Sequence, residues 1–202
     1  MEWIHLSVFV FGYIVGSIPF GVLIARSKGI NIFQEGSGNP GATNVGRILG
    51  KRYGFLVFFL DALKGFSSVI ALHYLAHQHP QLEDILMATA LAGAVTGHCF
   101  SIFLKFRGGK GVATTIGGLL AIMPSVTILC LLLWYSVFRI SRFVSLASLS
   151  FALMLPLLTY LFAYSETLLY LSLALMIFLI WRHVPNLRRL WRGQENRFPP
   201  KA

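Results

Sequence analysis

The feature that most constrains this chain is a series of apolar runs, each long enough to cross a lipid bilayer. About 20 helical residues span the hydrocarbon core of a membrane. Five runs of roughly that length are present, at 3–25, 53–76, 85–104, 144–164 and 167–183. Hydrophobic residues make up 56% of the chain and charged residues 12%, a balance typical of integral membrane proteins. Because the backbone must satisfy its own hydrogen bonds in lipid, the sequence predicts an all-α, polytopic membrane helix bundle, with 1–202 as a single domain.

A further apolar run covers 112–138 and contains Met123-Pro124. Proline lacks a backbone N–H and clashes with the preceding helical turn, so we expect the helix to break at this point. The run then makes two short passes, the first of them a partial span buried within the bundle.

The basic residues predict how the spans are oriented. Lys and Arg concentrate in four segments, at 26–52, 105–110, 139–142 and from Arg182 onward. The connections at 77–84 and 163–167 contain none. Basic loops remain on the cytoplasmic side of a membrane, so the four basic segments should be cytoplasmic. This arrangement predicts seven transmembrane helices, with the N-terminus outside and the C-terminus in the cytoplasm.

The net charge of +10 raises the question of an anionic partner. The cations lie in short loops between apolar runs and lack the interleaved aromatic residues of a nucleic-acid surface, so we expect anionic lipid and anionic substrates and no nucleic acid. Cys99 and Cys130 lie inside apolar runs, so we expect no disulfide framework. The histidines lack ligand spacing, so neither a metal site nor a cofactor is expected. The oligomeric state is left open.

The first polar segment is a run of glycines and small donors between two apolar stretches. It reads Gly36-Ser37-Gly38-Asn39-Pro40-Gly41-Ala42-Thr43-Asn44, with Arg47 following. Glycine lets successive backbone N–H groups converge on an anion, and short hydroxyl and amide groups approach phosphate oxygens without bulk. A flexible linker would not need these donors at this spacing. The segment therefore predicts a phosphate cradle at the membrane surface.

The second polar segment places cations beside a glycine turn at the start of a helix. It reads Lys105-Phe106-Arg107-Gly108-Gly109-Lys110-Gly111 and continues to Thr114 and Thr115. Helix N-termini favour anions through their free N–H groups and the helix dipole. A turn whose cations only set the topology would explain Lys105 and Arg107, but not the glycines that follow them.

The third polar segment follows the last apolar run and begins Arg182-His183-Val184-Pro185-Asn186. Pro185 suits the first position of a new helix, so we expect the chain to bend into a short interfacial helix. A basic tail lying on the membrane surface is the alternative. His183, Asn186 and Glu195 distinguish the segment from such a tail.

Ionisable residues also occur at membrane depth. Asp61 and Lys64 are three residues apart on one face of the second apolar run, and His98 lies near the cytoplasmic end of the third. A buried ion pair is the plain interpretation of Asp61 and Lys64. Such a pair is costly in hydrocarbon and can also mark a functional site, which would lie beneath the first glycine segment.

Together the three segments resemble the motifs of the bacterial acyl-phosphate:glycerol-3-phosphate acyltransferases. The resemblance rests on the first segment, on Gly97-His98 through Gly111, and on Arg182-His183 with Asn186, Arg189 and Glu195. It spans nearly the whole chain. One departure is Arg107, where members of the family often have lysine.

The resemblance implies transfer of a fatty acyl group from acyl phosphate to the sn-1 hydroxyl of glycerol 3-phosphate, which gives lysophosphatidic acid. The enzyme would lie in the bacterial inner membrane with its site on the cytoplasmic side. The family is thought to let the acceptor's own phosphate take the hydroxyl proton. The residues that the resemblance places in catalysis are Ser37, Arg47, His183, Asn186 and Glu195. Those it places in substrate binding are Gly36, Gly38, Asn39, Gly41, Ala42, Thr43, Asn44, Lys105, Gly108, Gly109, Lys110, Gly111 and Thr114.

Two other functions share individual features with this sequence. A membrane transporter of phosphorylated solutes would also contain glycine-broken helices and intramembrane charges, but the two halves of this chain show no internal repeat. His79 and Asp84 fit the H-x4-D pattern of acyl-CoA-dependent acyltransferases. They lie on the predicted outer loop, away from cytoplasmic thioesters.

Overall fold

The structure is a computed structural model that describes residues 2–73 and 80–198. Across these residues the regular elements are all helical, which confirms the all-α prediction. The α-helices are α1 (Glu2–Ser17), α2 (Phe20–Arg26), α3 (Ala42–Ile48), α4 (Lys51–Ile70), α5 (Glu83–Cys99), α6 (Val112–Ile122), α7 (Pro124–Ser141), α8 (Val144–Leu161), α9 (Glu166–Arg182) and α10 (Val184–Trp191). Short 3₁₀ turns lie at Pro80–Leu82 and Ile102–Leu104. His79 of the H-x4-D pattern lies outside the described residues.

The described helices include several that can cross a membrane. Five stretches are long and apolar enough: Trp3–Arg26, Lys51–Ile70, Pro80–Leu104, Pro124–Ser141 and Val144–Leu161. A sixth arises if α9 and α10, which meet at a bend of 55°, form one span. Helix α6 rises only about 16 Å, roughly half of a hydrocarbon core. The seventh crossing and the sides of the two termini therefore stay predictions.

Two proline-associated breaks match the sequence, and one was missed. Helix α6 ends before Met123 and α7 begins at Pro124, as expected. The bend into α10 is also confirmed, although Pro185 is the second helical residue and not the first. The apolar run 3–25 corresponds to one candidate span, Trp3–Arg26, but the chain leaves the helical conformation at Ile18 and Pro19, a break that the sequence did not predict.

Side chains from other elements satisfy the carbonyl groups that this missed break exposes. Nζ of Lys64 donates a hydrogen bond to the carbonyl of Ile18 at 2.9 Å. Oγ of Ser101 donates to the carbonyl of Ser17 at 2.6 Å. A break in a membrane helix is stable only where such partners replace the lost helical bonds.

The chain forms two compact units, Met1–Ile122 and Met123–Ala202. In the first unit α1 packs along α5 through glycines spaced four residues apart. A Cβ at Gly12 or Gly16 would overlap the backbone of α5, and one at Gly93 or Gly97 would overlap the backbone of α1. Small residues at this spacing let two membrane helices approach closely. The interface therefore depends on backbone contact.

Helix α4 packs against α6 in the same way. Gly65 of α4 lies against the carbonyl of Thr114, and Gly117 of α6 lies against the carbonyl of Ala62. The loop between α2 and α4 is held by a separate cluster of buried apolar side chains: Val22, Ala25, Ile32, Val45 and Val57. These contacts fix the loop that contains the first glycine segment relative to α4.

In the second unit α8 contacts both α7 and α9. Phe151 and Leu155 of α8 are fully buried there. The indole N–H of Trp134 on α7 donates to Oγ of Ser148 at 3.3 Å. The interpretation of 1–202 as a single domain stays a prediction.

Large apolar side chains remain exposed on the surface of these helices. Phe55 and Phe59, one turn apart on α4, are 72% and 61% exposed. Asp61 and Lys64 on the same helix are buried. A helix that faces lipid is expected to expose apolar side chains on its outer face and to bury charged ones inside the bundle.

Candidate active site

The first glycine segment forms a loop that Asn44 braces from within. Oδ1 of Asn44 accepts a hydrogen bond from the backbone N–H of Ser37 at 2.9 Å, and its Nδ2 donates to the carbonyl of Glu35 at 2.9 Å. Gly36 and Gly38 have φ of +58° and +67°, a conformation that glycine adopts without strain. A Cβ at Gly36 would also overlap Oδ1 of Asn44. The shape of the loop thus depends on these glycines and one buried amide.

A second side-chain amide closes the end of the loop. Oδ1 of Asn39 accepts from the backbone N–H of Gly41 at 2.8 Å, just before Ala42 begins α3. The structure therefore gives Asn39 a bracing role, as it does Asn44. A direct contact of either amide with substrate stays a prediction. Ser37 is exposed, and Thr43 and Arg47 are half-buried, so the loop has a hydroxyl open to a ligand.

The second glycine segment folds back onto the end of α5. The backbone N–H of Gly108 donates to the carbonyl of Cys99 at 3.1 Å, and that of Gly109 donates to the carbonyl of His98 at 3.1 Å. Lys105 has a left-handed conformation with φ of +52°. The turn is consequently tied to α5 by its backbone.

Steric contacts and backbone conformation explain why three positions of this turn are glycine. A Cβ at Gly108 would overlap the carbonyl oxygens of His98 and Cys99, and a Cβ at Gly109 would overlap Nε2 of His98. Gly111 has φ of +91°, which side chains rarely adopt. Close packing accounts for Gly108 and Gly109, and backbone conformation accounts for Gly111, while their approach to a phosphate stays a prediction.

The cations of this segment differ in exposure. Lys105 and Arg107 are exposed, and Lys110 is half-buried. The guanidinium of Arg107 lies 6.0 Å from the ring centre of Phe33, which precedes the first glycine segment. Thr114 is fully buried, with its carbonyl against Gly65 of α4, and its contact with substrate stays a prediction.

The first two segments meet at one small pocket. Pro40 from the first segment and Gly108 and Gly109 from the second are among its lining residues. Asp61, Lys64 and His98 also line it, together with Ser17, Ile18, Pro19, Phe20, Gly21, Ser101 and Leu104. Asp61 and Lys64 thus line the same pocket as Pro40 of the first glycine segment.

In the second unit the third segment is organised around Glu195. Its Oε1 accepts from Oγ of Ser145 at 2.9 Å and from Nδ2 of Asn186 at 2.7 Å, and its Oε2 accepts from Nε of Arg189 at 2.8 Å. The Glu195 side chain is 4% exposed. Asn186 is buried as well, so Glu195 fixes its amide in one orientation.

These contacts also set the charge of Glu195. Burial alone would raise its pKa, but hydrogen bonds from Arg189, Asn186 and Ser145 and the charge of Arg189 outweigh burial and hold the pKa below its usual value. The carboxylate is thus ionised near neutral pH and remains an acceptor.

The last described residues are fastened beside this cluster. The backbone N–H of Phe198 donates to the carbonyl of Arg142 at 2.9 Å, and the guanidinium of Arg197 lies 5.1 Å from the ring centre of Phe143. His183 is buried where α9 ends, with Nδ1 2.8 Å from the carbonyl of Leu179. The predicted residues His183, Asn186 and Glu195 therefore belong to an ordered structure instead of a loose tail. Their convergence with the first two segments stays a prediction.

Ser145 is a residue of this cluster that the sequence did not predict. It is the second residue of α8, three residues after the basic segment 139–142, and lies fifty positions before its partner Glu195. Its only local signal was a hydroxyl at the first turn of an apolar helix. Such a hydroxyl is common, so the pairing could be found only in three dimensions.

Known proteins resemble this chain over almost its full length. The sequence model of the family described as glycerol-3-phosphate acyltransferase matches residues 6–193. A glycerol-3-phosphate acyltransferase of Aquifex aeolicus (strain VF5) is 42% identical over 194 residues, which are 96% of this chain and 98% of the relative. One from Wolbachia pipientis subsp. Culex pipiens (strain wPip) is 41% identical over 191 residues, 95% of this chain and 97% of the relative.

Two crystal structures resemble the fold. One is of PlsY, described as an integral membrane glycerol 3-phosphate acyltransferase, in its glycerol 3-phosphate form. It matches with a TM-score of 0.89 and 40% identity over 96% of each chain. The lysophosphatidic acid form of PlsY matches with a TM-score of 0.87 and 40% identity, over 96% of this chain and 95% of that chain.

Proposed function

Because the chain belongs to the glycerol-3-phosphate acyltransferase family, we propose that it transfers a fatty acyl group from acyl phosphate to the sn-1 hydroxyl of glycerol 3-phosphate. The products are lysophosphatidic acid and inorganic phosphate, and the reaction is the first acylation of phospholipid biosynthesis. The observation that supports this function best is the structural likeness to the glycerol 3-phosphate form of PlsY.

The chemistry asks little of the protein beyond positioning and charge neutralisation. Acyl phosphate is a mixed anhydride with a good leaving group, so the acceptor hydroxyl needs mainly to be held in line with the carbonyl. Two phosphorylated substrates repel each other, and fixed cations and N–H donors offset that repulsion. The exposed cations Lys105 and Arg107 lie beside a pocket lined by both glycine segments, which supports this mechanism.

Each segment has its own role in the proposed reaction. The loop with Ser37 and Arg47 holds acyl phosphate and stabilises the charge on its carbonyl and leaving phosphate. The turn at 105–111 holds glycerol 3-phosphate. His183, Asn186 and Glu195 orient the acceptor. The proton of the acceptor hydroxyl passes to the phosphate of glycerol 3-phosphate, so no protein side chain acts as general base.

The first experiment gives labelled glycerol 3-phosphate to the purified protein in lipid, with either palmitoyl phosphate or palmitoyl-CoA as donor. We expect lysophosphatidic acid from the phosphate alone. Product only from the thioester would overturn the proposed donor. In sealed vesicles, accumulation of unaltered glycerol 3-phosphate without product would show that the protein is a transporter and not an acyltransferase.

Substitutions then test the residue roles. Ser37→Ala and Asn186→Ala should each lower turnover by at least tenfold, since removing a single donor from a charge-stabilising site costs about 10²-fold or more. Ser27→Ala is the matched control, because Ser27 is exposed on the same connection and its hydroxyl donates only to the nearby carbonyl of Ile24. Wild-type turnover in both test variants would remove these residues from the mechanism.

The proposed site lies at the cytoplasmic face of the bacterial inner membrane. Single cysteines at Ser37 and Glu166 test this placement with a membrane-impermeant maleimide, because the native Cys99 and Cys130 are buried. We expect Ser37→Cys to react in inside-out vesicles and Glu166→Cys in right-side-out vesicles. The reverse pattern would invert the proposed topology.

A further inference from the structure

Three ionisable side chains meet inside the first unit next to the pocket. Oδ1 of Asp61 lies 2.9 Å from Nζ of Lys64 and 3.5 Å from Nδ1 of His98. The Asp61 and Lys64 side chains are each 3% exposed, and that of His98 is 9% exposed. Charges at membrane depth are costly and persist mainly where they have a function. The hydrogen bond from Lys64 to the carbonyl of Ile18 explains why Lys64 is buried, but it does not explain why Asp61 and His98 are.

His98 connects this cluster to the second glycine turn. Its carbonyl accepts the N–H of Gly109 at 3.1 Å, and its ring lies against the α-carbon of the same glycine. The ring position in turn depends on Asp61, which lies beside Nδ1. A path of direct contacts therefore runs from a carboxylate in α4 to the backbone of the turn.

We infer that Asp61 and His98 are positioning residues that hold the turn at 105–111 in the shape that binds glycerol 3-phosphate. The inference rests on the proposed function, which assigns that substrate to the turn. Neither side chain needs to touch the substrate: Asp61 fixes the imidazole, and the imidazole fixes Gly109. Loss of either one loosens the turn and weakens acceptor binding more than it slows the chemical step.

The first test replaces Asp61 by asparagine, which keeps the shape of the side chain and removes its charge. We expect the KM for glycerol 3-phosphate to rise about tenfold, as is usual when a supporting partner is lost. The kcat and the KM for acyl phosphate should stay within about twofold of wild type. Glu83→Gln is the control, because Glu83 lies in the first turn of α5, at the far end of that helix from His98. Asp61→Glu should recover part of the affinity.

The second test is a double-mutant cycle between positions 98 and 109, which stays decisive if Asp61→Asn fails to fold. Gly109→Ala should lower kcat/KM for glycerol 3-phosphate by about 100-fold, because its new methyl group overlaps the His98 ring. His98→Ala should lower it about tenfold. The double variant should match His98→Ala, since the alanine at 98 leaves room for the methyl group.

Gly108→Ala is the matched control for this cycle. Its methyl group would overlap the backbone carbonyls of His98 and Cys99, which no side-chain change can remove. His98→Ala should therefore not restore Gly108→Ala. Recovery at both positions, or at neither, would overturn the proposed packing role of the imidazole.

Other outcomes separate this inference from the proposed function. A fall in kcat with unchanged KM in Asp61→Asn would make the cluster catalytic and overturn the positioning role. Failure of the wild-type protein to use acyl phosphate would instead refute the proposed donor. In that case binding of glycerol 3-phosphate, measured by thermal stabilisation of wild-type and variant proteins, still tests the inference. Equal affinity of all variants would refute it.

Discussion

Glu195→Gln removes one charge from the third segment while keeping the size of the side chain. The carboxylate has three donors, from Ser145 at 2.9 Å, Asn186 at 2.7 Å and Arg189 at 2.8 Å. Glutamine has a single acceptor oxygen. If that oxygen takes the place of Oε1, the new NH₂ group faces Nε of Arg189, and two donors confront each other.

The size of the effect follows from these contacts. A hydrogen bond to a charged group contributes about 1.5–3 kcal/mol, against about 0.5–1.5 kcal/mol for a neutral one. In Glu195→Gln the hydrogen bonds from Ser145 and Asn186 are weakened, because their acceptor is no longer charged, and the hydrogen bond from Arg189 is lost. The Arg189 side chain is 35% exposed, so water reduces its share. We estimate a total of about 2 kcal/mol, which corresponds to roughly 30-fold in kcat/KM if the orientation of Asn186 matters fully in the transition state.

The assay is acyl transfer to glycerol 3-phosphate by the purified protein in lipid. Ser145→Ala, which removes one hydrogen bond to the charged carboxylate, should lower kcat/KM by about tenfold. Gln194→Ala is the control, because Gln194 is exposed. If Glu195→Gln and Ser145→Ala both stayed within twofold of wild type, the cluster would have no part in orienting Asn186, and the reasoning would be refuted.

Three further predictions concern pH, helix packing and the first loop. Because the pKa of Glu195 lies below its ordinary value of 4.5, its stabilising effect is complete above about that pH and is lost as the pH falls through the folded-state pKa. Acidification below pH 4.5 should therefore lower the Tm of the wild-type protein more than that of Glu195→Gln. Gly97→Ala should destabilise the protein by about 1–3 kcal/mol, because the methyl group would overlap the carbonyl of Tyr13 on α1, and thermal unfolding measures this. Asn44→Ala should speed hydrogen exchange at Ser37, whose N–H loses its partner at a cost of about 1–3 kcal/mol.

Each of these three predictions has an experimental outcome that would contradict it. Parallel loss of Tm in wild type and Glu195→Gln would show that Glu195 is not the group that titrates. An unchanged Tm in Gly97→Ala would mean that α1 and α5 can separate without cost. Unchanged exchange at Ser37 in Asn44→Ala would show that the loop keeps its shape without the amide.

The sequence was a good guide wherever the signal is local. A helix in lipid satisfies its own backbone, so the apolar runs predicted the helices and the all-α class. Pro124 and Pro185 predicted a break and a bend, because proline acts on the adjacent turn. Pro19 has the same chemistry, but the apolar run continued past it and concealed the break. The donors that stabilise that break, from Lys64 and Ser101, are far away in the sequence.

The tertiary structure decided which contacts the predicted site residues make within the protein. The sequence suggests Asn39 and Asn44 as phosphate donors, and in the structure their amides also brace the loop. It suggests Gly109 as a residue that approaches a phosphate, and in the structure Gly109 lies against His98. The sequence by itself determined the helices, the position of the polar segments and the family. The contact partners of the residues in the polar segments were decided only by folding. A hydrogen bond or a close contact between distant residues has no period or spacing that a sequence can display.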